Sequence, residues 1–452
     1  MPMNRRRFLQ AAGVSGAVAL AGCTGGGDGG DSGNGGGDGG NGGGDGGDGG
    51  NGGGTTGGNS VDEVIVGTLT PLTGPFARDG TLVKKGVDYA VSEINAAGGI
   101  ESLGGAELTV VSQDTGESTS TATSAAQSLY SSHSPSATMG SWLSSQTIAT
   151  SAVSERNQVP QLTISYSDKI TERGFKYVFQ TPPKSSQFGQ QSLELSASLA
   201  EAVGSEVNKV AMVGDNTAAI TFTFDPLRDT FIPQTEGVEL VVDEVWTPTL
   251  SDATPIVRAL KEEEPDVMFF GATAFSDALA VLRKMNELNV QMPIIGIGAW
   301  LTLPAYVDNI GADLVENIMA VTGAHPLRGQ EESVQNFTSF ADEPFMIQDS
   351  IGGYAHTWLV KEAIEQTGSA DPTDVRDALA STTFTEGPAV NSFPVEQIRF
   401  QEGGHMENAQ VVMAQWQDRG DADWAGTEAV PFTVFPEDFK MRDVNWVPAE
   451  YS

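Results

Sequence analysis

The sequence predicts an α/β protein with parallel sheets divided between two domains. From residue 61 to about residue 400, short apolar runs bounded by turn residues alternate with stretches of helical periodicity. This alternation is typical of βαβ units, in which helices cover both faces of a parallel sheet. About twelve such elements are too many for one sheet, and the length of 452 residues also favours two domains.

The first series of elements is predicted between residues 64 and 164. Continuous apolar residues indicate buried strands, and apolar residues that recur every three or four positions indicate helices. Gly98-Gly99 ends the first helix, since glycine favours helix termination. In order, we predict strand 64–69, helix 82–94, strand 108–111, helix 121–130, strand 137–140, helix 144–153 and strand 162–164.

The alternation then starts again and ends differently. A long helix and a shorter one follow the second set of strands, and the C-terminal part is expected to be β-rich with an aromatic tail that reaches Trp446. In order, we predict strand 209–213, helix 254–263, strand 266–270, helix 276–288, strands 293–297 and 317–321, helices 351–366 and 373–380, and strands 396–400 and 410–416.

Two segments are expected to carry the chain between the lobes. They are Thr181-Pro182-Pro183 and the stretch around Gly323-Ala324-His325-Pro326, since proline and glycine interrupt regular structure there. We therefore assign residues 61–182 and 323–395 to lobe 1, and residues 183–322 and 396–452 to lobe 2.

The charge of the chain excludes one class of partner. It contains 59 Asp and Glu against 24 Lys and Arg, which gives a formal net charge of −35. Such a surface repels phosphate backbones, so we expect no nucleic acid partner, and it repels anionic lipid headgroups as well. Acidic residues are spread along the whole chain, and there are only ten lysines, a composition typical of halophilic proteins. High salt screens the repulsion between their many negative charges.

The first residues have the pattern of an export signal. Arg5-Arg6-Arg7 precede Phe8-Leu9, and an apolar run continues to Ala21. The run is shorter than the roughly 20 apolar residues that cross a bilayer as a helix. A basic start and a short apolar stretch are typical of a signal peptide, and the paired arginines resemble the twin-arginine signal. We expect residues 1–22 to be a signal peptide.

The next residues indicate an anchor and a spacer. Leu20-Ala21-Gly22-Cys23 resembles the lipobox of bacterial and archaeal lipoproteins, which implies that Cys23, the one cysteine of the chain, carries a lipid on the outer face of the membrane. Residues 25–59 contain 23 glycines and otherwise Asp, Asn, Ser and Thr, so they have nothing to bury. We expect residues 23–60 to be a disordered linker with an r.m.s. span of roughly 30–35 Å.

The folded part lacks the motifs of familiar enzymes. Its four histidines are far apart in sequence and without metal-ligand spacing; they are His133, His325, His356 and His405. It contains neither a Gly-x-Ser-x-Gly elbow nor a phosphate-binding Gly-x-x-x-x-Gly-Lys loop, and no third glycine follows Gly296-Ile297-Gly298 at dinucleotide spacing. We expect a protein that is not an enzyme and that uses neither a cofactor nor a metal.

Hydroxyl-bearing and aromatic residues follow the predicted strands. In an open α/β sheet, ligands bind outside the carboxyl ends of the strands. A serine at a helix start can donate to a carboxylate, and the free N–H groups there favour an anion. This pattern suits reversible capture of a small polar solute. The candidate residues are Trp142, Ser144 and Ser145, then Ser165, Tyr166 and Ser167, then Thr273 and Phe275, and finally Trp300.

The order of these elements resembles the extracellular solute-binding proteins of branched-chain amino acid ABC transporters. The resemblance covers about Val64 to Trp416. It implies a type I periplasmic binding protein of the Leu/Ile/Val type, with two Rossmann-like lobes joined by three hinge crossings, that closes on its solute by a hinge motion. With the acidic composition it implies a haloarchaeal lipoprotein. Its most specific pieces are Thr73-Gly74-Pro75, residues 94–100 (INAAGGI), Gly140 with Ser144-Ser145, Val159-Pro160 and residues 170–175 (ITERGF).

The family's binding residues are only partly present. Its carboxylate-binding serine falls on Ser144, and its second backbone-and-hydroxyl segment falls near residues 165–167. Its ammonium-binding acid falls on Gly298. The resemblance therefore implies that the carboxylate half of an amino-acid site is kept and the ammonium half is not in its usual place. Either Asp79 or Asp215 replaces that acid, or the solute has no ammonium group.

We therefore expect a protein that captures an amino acid or a similar solute between its lobes and delivers it to ABC permease subunits. The sequence leaves alternatives open: an amide, urea or a small organic acid as the solute, or a ligand-sensing ectodomain of the same fold. An exported hydrolase would need a nucleophile–base pair, and a structural surface protein would be expected to show repeats.

Overall fold

The structure is a computed structural model that describes residues 61–451. The predicted signal peptide, Cys23 and the predicted linker lie outside the described residues. Two mainly parallel sheets, each with helices packed on it, confirm the predicted α/β class. Among residues 61–451, no helix has both the length and the apolar character needed to cross a bilayer.

The first sheet, with its helices, is called lobe 1. All neighbouring strands in it run parallel, in the order β2-β1-β3-β4-β5. Val64, Val66 and Leu162 are buried within it, and each such side chain contributes about 1.5–3 kcal/mol on burial. Its strands are β1 (Glu63–Thr70), β2 (Glu107–Asp114), β3 (Thr138–Ser141), β4 (Gln161–Thr163) and β5 (Val178–Gln180).

The remaining strands build the second sheet, called lobe 2 with its helices, and a short ribbon. They are β6 (Lys209–Asp215), β7 (Glu239–Trp246), β8 (Val267–Gly271), β9 (Val290–Gln291), β10 (Ile294–Ile297), β11 (Met319–Thr322), β12 (Val412–Asp418), β13 (Ala429–Phe435) and β14 (Glu450–Tyr451). The order is β13-β12-β11-β10-β8-β6-β7, and β9 pairs with β14. The parallel strands repeat the order of lobe 1, whereas β12 and β13 are antiparallel additions.

Helices connect the strands and cover the sheets. They are α1 (Ala77–Ala96), α2 (Thr119–His133), α3 (Ser144–Asn157), α4 (Ser185–Ala202), α5 (Ala218–Pro226), α6 (Ile232–Gln234), α7 (Thr254–Glu263), α8 (Phe275–Glu287), α9 (Ala305–Ile310), α10 (Ala312–Val315), α11 (Glu331–Ala341), α12 (Gln348–Thr367), α13 (Pro372–Ser381) and α14 (Pro388–Asn391).

Helices α1 and α12 approach each other unusually closely in lobe 1. A Cβ atom at Gly86 would lie 1.9 Å from the carbonyl oxygen of Ser350, and one at Gly353 would lie 2.2 Å from that of Val83. No real Cβ atom fits at those distances, so glycine is required at both positions for this spacing. The close packing holds the first turns of both helices on the same side of lobe 1.

The chain passes between the sheets after β5, after β11 and before β12. The predicted strand 396–400 is not a continuous strand, because the chain bends at residues 393–396. Ile398 and Phe400 instead make isolated bridges, and the Phe400 ring packs 5.0 Å from that of Phe179 in β5. The contacts of this segment are therefore with lobe 1, and the lobe boundaries assigned from the sequence stay a prediction.

Candidate functional site

A cavity of about 220 Å³ lies where the carboxyl ends of the strands of both sheets meet. In lobe 1 its wall is made by segments that follow β1, β3 and β4 and by the start of α12. In lobe 2 it is made by segments that follow β6, β8 and β10. These are the strands beside the point where each sheet reverses its order, which is where open α/β sheets bind ligands.

Most of the candidate residues line this cavity. Those that do are Asp79, Trp142, Ser144, Ser145, Tyr166, Thr273 and Trp300. Ser165, Ser167, Asp215 and Phe275 do not line it. The cavity lies at strand ends, as expected from the sequence, and the roles of these residues in binding stay a prediction.

The start of α3 brings two backbone segments together. Ser144 is the first residue of the helix, is 5 % exposed, and its hydroxyl accepts a hydrogen bond from the backbone N–H of Ser167 at 3.3 Å. Ser165 donates its hydroxyl to the carbonyl oxygen of Trp142 at 2.7 Å. Ser165 and Ser167 therefore position the loop that precedes α3, while Ser144 and Ser145 line the cavity beside the unpaired N–H groups of the helix.

Two buried carboxyl groups stand in the wall of lobe 1. Asp79, in the first turn of α1, is 5 % exposed and accepts no hydrogen bond from another residue. Asp349, in the first turn of α12, accepts one from Trp142 Nε1 at 2.9 Å. Burial raises the pKa of Asp79 to about 7, against weaker opposite effects of its own backbone N–H and of Arg78. Burial, and then the negative charge of Asp79, raises the pKa of Asp349 well above its usual range.

Lobe 2 contains a buried aspartate that lies outside the cavity lining and has many hydrogen-bond donors. Asp215 ends β6, and its carboxylate accepts hydrogen bonds from the backbone N–H and the hydroxyl of Thr217, at 2.9 and 2.6 Å. It also accepts them from the N–H and hydroxyl of Thr273, at 2.5 and 3.2 Å. Burial raises the pKa of Asp215, and these hydrogen bonds oppose the rise. Asp215 therefore fastens the ends of β6 and β8 together.

Aromatic rings complete the walls. Phe76 and Trp142 pack with their ring centroids 5.6 Å apart in lobe 1. Tyr166 meets Trp300 edge-on across the two lobes at 6.1 Å, and its buried hydroxyl has no hydrogen-bond partner. Phe275 packs instead on Tyr306 of α9, at 4.7 Å, so it supports the wall from behind.

Lobe 2 has no room for an acid at position 298. Gly298 has φ +96°, and a Cβ atom there would lie 2.1 Å from the indole ring of Trp300. The Trp300 ring therefore fills the space that a side chain at this position would need.

Sequence reasoning missed several residues of the site, above all Asp349. It stands 270 positions after Asp79, at the start of a helix, where an acidic residue is common because it complements the helix dipole. Phe76, directly after Gly74-Pro75, and Gln348, before Asp349, were missed as well, although both line the cavity. Their proximity to a strand end or to a predicted helix start was the available signal.

The cavity is lined by hydroxyl, carboxyl, amide, aromatic and apolar side chains. Of the described residues that line it, none is His, Cys, Lys or Arg. His325 and His356 are buried elsewhere, and burial lowers the pKa of each to about 3. Among residues 61–451, no group of His, Cys, Asp and Glu side chains is arranged to hold a metal ion.

Known proteins with similar sequences or folds agree with this picture. The Leu/Ile/Val-binding protein homolog 7 of Brucella abortus is 26 % identical over 370 residues, which are 79 % of this chain and 90 % of that protein. The substrate binding protein LivJ of a Streptococcus pneumoniae branched-chain amino acid transporter, solved with isoleucine, shares the fold with a TM-score of 0.67 at 22 % identity, over 82 % of this chain and 99 % of that one.

A second solved structure has the same fold and another ligand. The solute binding protein of an ABC transporter from R. palustris, in complex with 4-hydroxybenzoate, matches with a TM-score of 0.66 at 18 % identity, over 85 % of this chain and 98 % of that one. The profile of the family described as periplasmic binding protein matches residues 63–421. That match covers most of the chain, and with the two-lobe α/β fold and the cavity between the sheets it leads to one conclusion: this chain belongs to the periplasmic binding protein family.

Proposed function

We propose that this protein is the extracellular solute-binding component of an ABC importer, and that it captures an amino acid or a similar small polar solute. The observation that carries the proposal is the cavity between the lobes, whose wall combines hydroxyl groups, aromatic rings and carboxyl groups from both sheets. Such a wall suits reversible binding of a small molecule. A binding protein of this kind closes by a hinge motion and hands its solute to the permease subunits.

Within the site, we propose that Ser144 and Ser145 bind the carboxylate of the solute. Both line the cavity at the start of α3, where unpaired N–H groups and the positive end of the helix dipole favour an anion. Tyr166 and Trp300 cover the solute from the two lobes, and Thr273 contributes a hydroxyl from lobe 2.

We further propose that the protein is exported and anchored through a lipid on Cys23. The twin-arginine and lipobox patterns in residues 1–23 support this proposal. Radiolabelled lipid should appear on the wild type and be absent from Cys23→Ser, which should leave the membrane fraction. Lipid-labelled Cys23→Ser, or wild type that washes off the membrane, would contradict the anchor.

A binding screen tests the capture of a solute. Amino acids, amides, urea and small organic acids are added to the protein in molar KCl, and the melting temperature is recorded. We expect at least one class of solute to raise it, because binding stabilises the folded state. Small-angle scattering should then show a smaller radius of gyration in the presence of that solute.

The screen includes a matched pair of variants. Ser144→Ala should weaken the binding of carboxylate-bearing solutes about three- to tenfold, since one hydrogen bond to a charged group is lost. Ser185→Ala is the control: Ser185 is also the first residue of a helix, α4, and its buried hydroxyl has no partner and lies outside the cavity. If no solute raises the melting temperature, the proposed function is wrong.

The acidic composition leads us to propose a halophilic protein. Its net charge of −35 implies strong self-repulsion at low ionic strength. The melting temperature should therefore rise steeply between dilute buffer and molar KCl, where the Debye length falls to about 3 Å. A melting temperature that is independent of salt would contradict this.

A further inference from the structure

The lobe 1 wall of the cavity contains acidic groups without a basic residue beside them in the lining. Asp79 and Asp349 are both buried there, Glu117 stands at the rim, and no basic residue is among the described residues that line the cavity. The guanidinium of Arg78, which is not part of the lining, is bonded to Glu343 at 2.8 Å, and its charge opposes the rise in the pKa of Asp79 less strongly than burial causes it.

The hydrogen-bonding capacity of these two carboxyl groups is also unmet. A carboxylate has about four acceptor sites. Asp349 accepts one hydrogen bond, from Trp142 Nε1, and Asp79 accepts none from another residue. By contrast, Asp277, a buried aspartate outside the cavity, accepts hydrogen bonds from Trp246 Nε1, the Thr249 N–H and the Ser276 hydroxyl. Buried carboxyl groups in this protein are thus well supplied with donors, except at the cavity.

The surroundings of this pair favour a cation. Phe76 and Trp142 flank it with paired rings, and aromatic faces attract positive charge. Tyr166 also lines the cavity and adds another aromatic ring to its wall. Lobe 2 offers no acid of its own, because Asp215 is saturated by threonine donors and the Trp300 ring blocks position 298.

Building on the proposed function, we propose that the solute carries a positively charged ammonium group and that lobe 1 alone holds this group, between Asp79 and Asp349. An organic acid without an ammonium group would meet two carboxyl groups and no counter-charge. A neutral amide or urea would offer no positive charge to the two carboxyl groups when they ionise. The chemical class that fits is therefore an amine or a zwitterion such as an amino acid.

This arrangement couples binding to protons. Burial of two carboxyl groups side by side favours their protonated forms, and an ammonium group between them favours the ionised forms. Binding should therefore release a proton near neutral pH, and affinity should rise with pH. The charged or titratable groups around the pair are Arg78 on α1, Glu117 before α2, Tyr166 after β4 and Tyr306 on α9.

Matched triplets of small molecules test the charge of the solute. One triplet is leucine, 4-methylpentanoate and 3-methylbutylamine, and a second is phenylalanine, 3-phenylpropionate and 2-phenylethylamine; urea and acetamide complete the set. We expect binding to require the ammonium group, so that at least one amino acid or amine binds and neither acid does. If acids, urea or acetamide bind and no ammonium compound does, the inference fails while the proposed function stands. If nothing in any class binds, both fail.

Charge-neutral variants then test the two residues. Asp79→Asn and Asp349→Asn should each weaken binding of the ammonium probe by at least tenfold, because each removes one charge and keeps the shape. Asp277→Asn is the control, since Asp277 also accepts from a tryptophan Nε1 at 2.9 Å and lies outside the cavity. Equal losses in all three variants, or no loss in the first two, would overturn the assignment.

Wild-type calorimetry gives an answer even if a variant does not fold. Between pH 6 and pH 8 the affinity for the ammonium probe should rise about tenfold, and the heat should differ between Tris and phosphate because a proton is released. An affinity that is flat with pH and a heat that is equal in both buffers would show that the pair does not hold the cation.

Discussion

Asp215 in lobe 2 and Asp79 in lobe 1 are both buried near the carboxyl end of the first strand of their sheet, but their carboxyl groups differ completely in their partners. Asp215 accepts four hydrogen bonds from Thr217 and Thr273, whereas Asp79 accepts none from another residue. Burial raises the pKa of both, and only at Asp215 do many donors oppose the rise. The comparison shows that unmet hydrogen-bonding capacity, rather than burial or residue type, separates a candidate binding residue from a structural one.

The largest effect should come from removing the structural aspartate. Asp215→Ala should lower the free energy of unfolding by about 3 kcal/mol, because the N–H and hydroxyl groups of Thr217 and Thr273 lose their acceptor. Urea titration at constant salt measures this, with the exposed Asp438→Ala as the control. A loss below about 0.5 kcal/mol would remove the distinction between the two aspartates.

The opposite sign is expected at Asp79. Its pKa is about 7 in the folded protein and near 3.8 when unfolded, so between these values the folded state binds more protons. Stability therefore falls as the pH rises from about 4 to 8, and Asp79→Asn should remove the contribution of this residue to the fall and stabilise the solute-free protein at pH 8. Melting curves from pH 5 to pH 9 check it; a destabilised variant at pH 8 would be evidence against an uncompensated charge.

A smaller effect is expected from the tryptophan that donates to Asp349. Trp142→Phe keeps the aromatic face and loses the N–H, so the affinity for an ammonium-bearing solute should fall about fivefold, or about 1 kcal/mol. Trp246→Phe loses the equivalent bond to Asp277 outside the cavity and should leave the affinity unchanged. Calorimetry distinguishes the two, and equal losses would indicate a general effect of the substitution.

The smallest effect concerns Tyr306, a lobe 2 residue whose hydroxyl is buried without a partner. Burial, and then the negative charge of Asp79, raises the pKa of Tyr306 well above its usual range, so α9 lies within electrostatic reach of lobe 1. Tyr306→Phe should stabilise the protein by about 0.5 kcal/mol and change solute affinity less than twofold. A tenfold loss of affinity would mean that lobe 2 also holds the solute.

The sequence predicted the parallel sheets and the position of the cavity for clear physical reasons. Buried parallel strands such as β1 and β8 are continuous apolar runs, and strand ends define where ligands bind, so Ser144 and Trp300 were identified correctly as cavity residues. The Ser- and Gln-rich helix α4 was missed because its apolar stripe is weak. The short edge strand β5 was missed because three residues give no periodicity.

Asp349 could not be found from the sequence, because a carboxyl group gains its role only when folding places it beside another one. Local patterns describe neighbours along the chain, whereas Asp79 and Asp349 are brought together by packing of α1 against α12. The saturation of Asp215 by threonines of two different loops is likewise a tertiary property.

The two glycine contacts between α1 and α12 have a consequence for selectivity. Gly86 and Gly353 let the backbones touch, and the first turns of these same helices carry the two acids of the cavity. One methyl group at either glycine would wedge the helices apart, one or two turns below the carboxyl groups. Backbone contact between α1 and α12 thus helps to set the separation of Asp79 and Asp349, although the contact lies away from the cavity. A relative with alanine or serine at either glycine is expected to have a wider space between the two carboxyl groups, which would suit a bulkier cation.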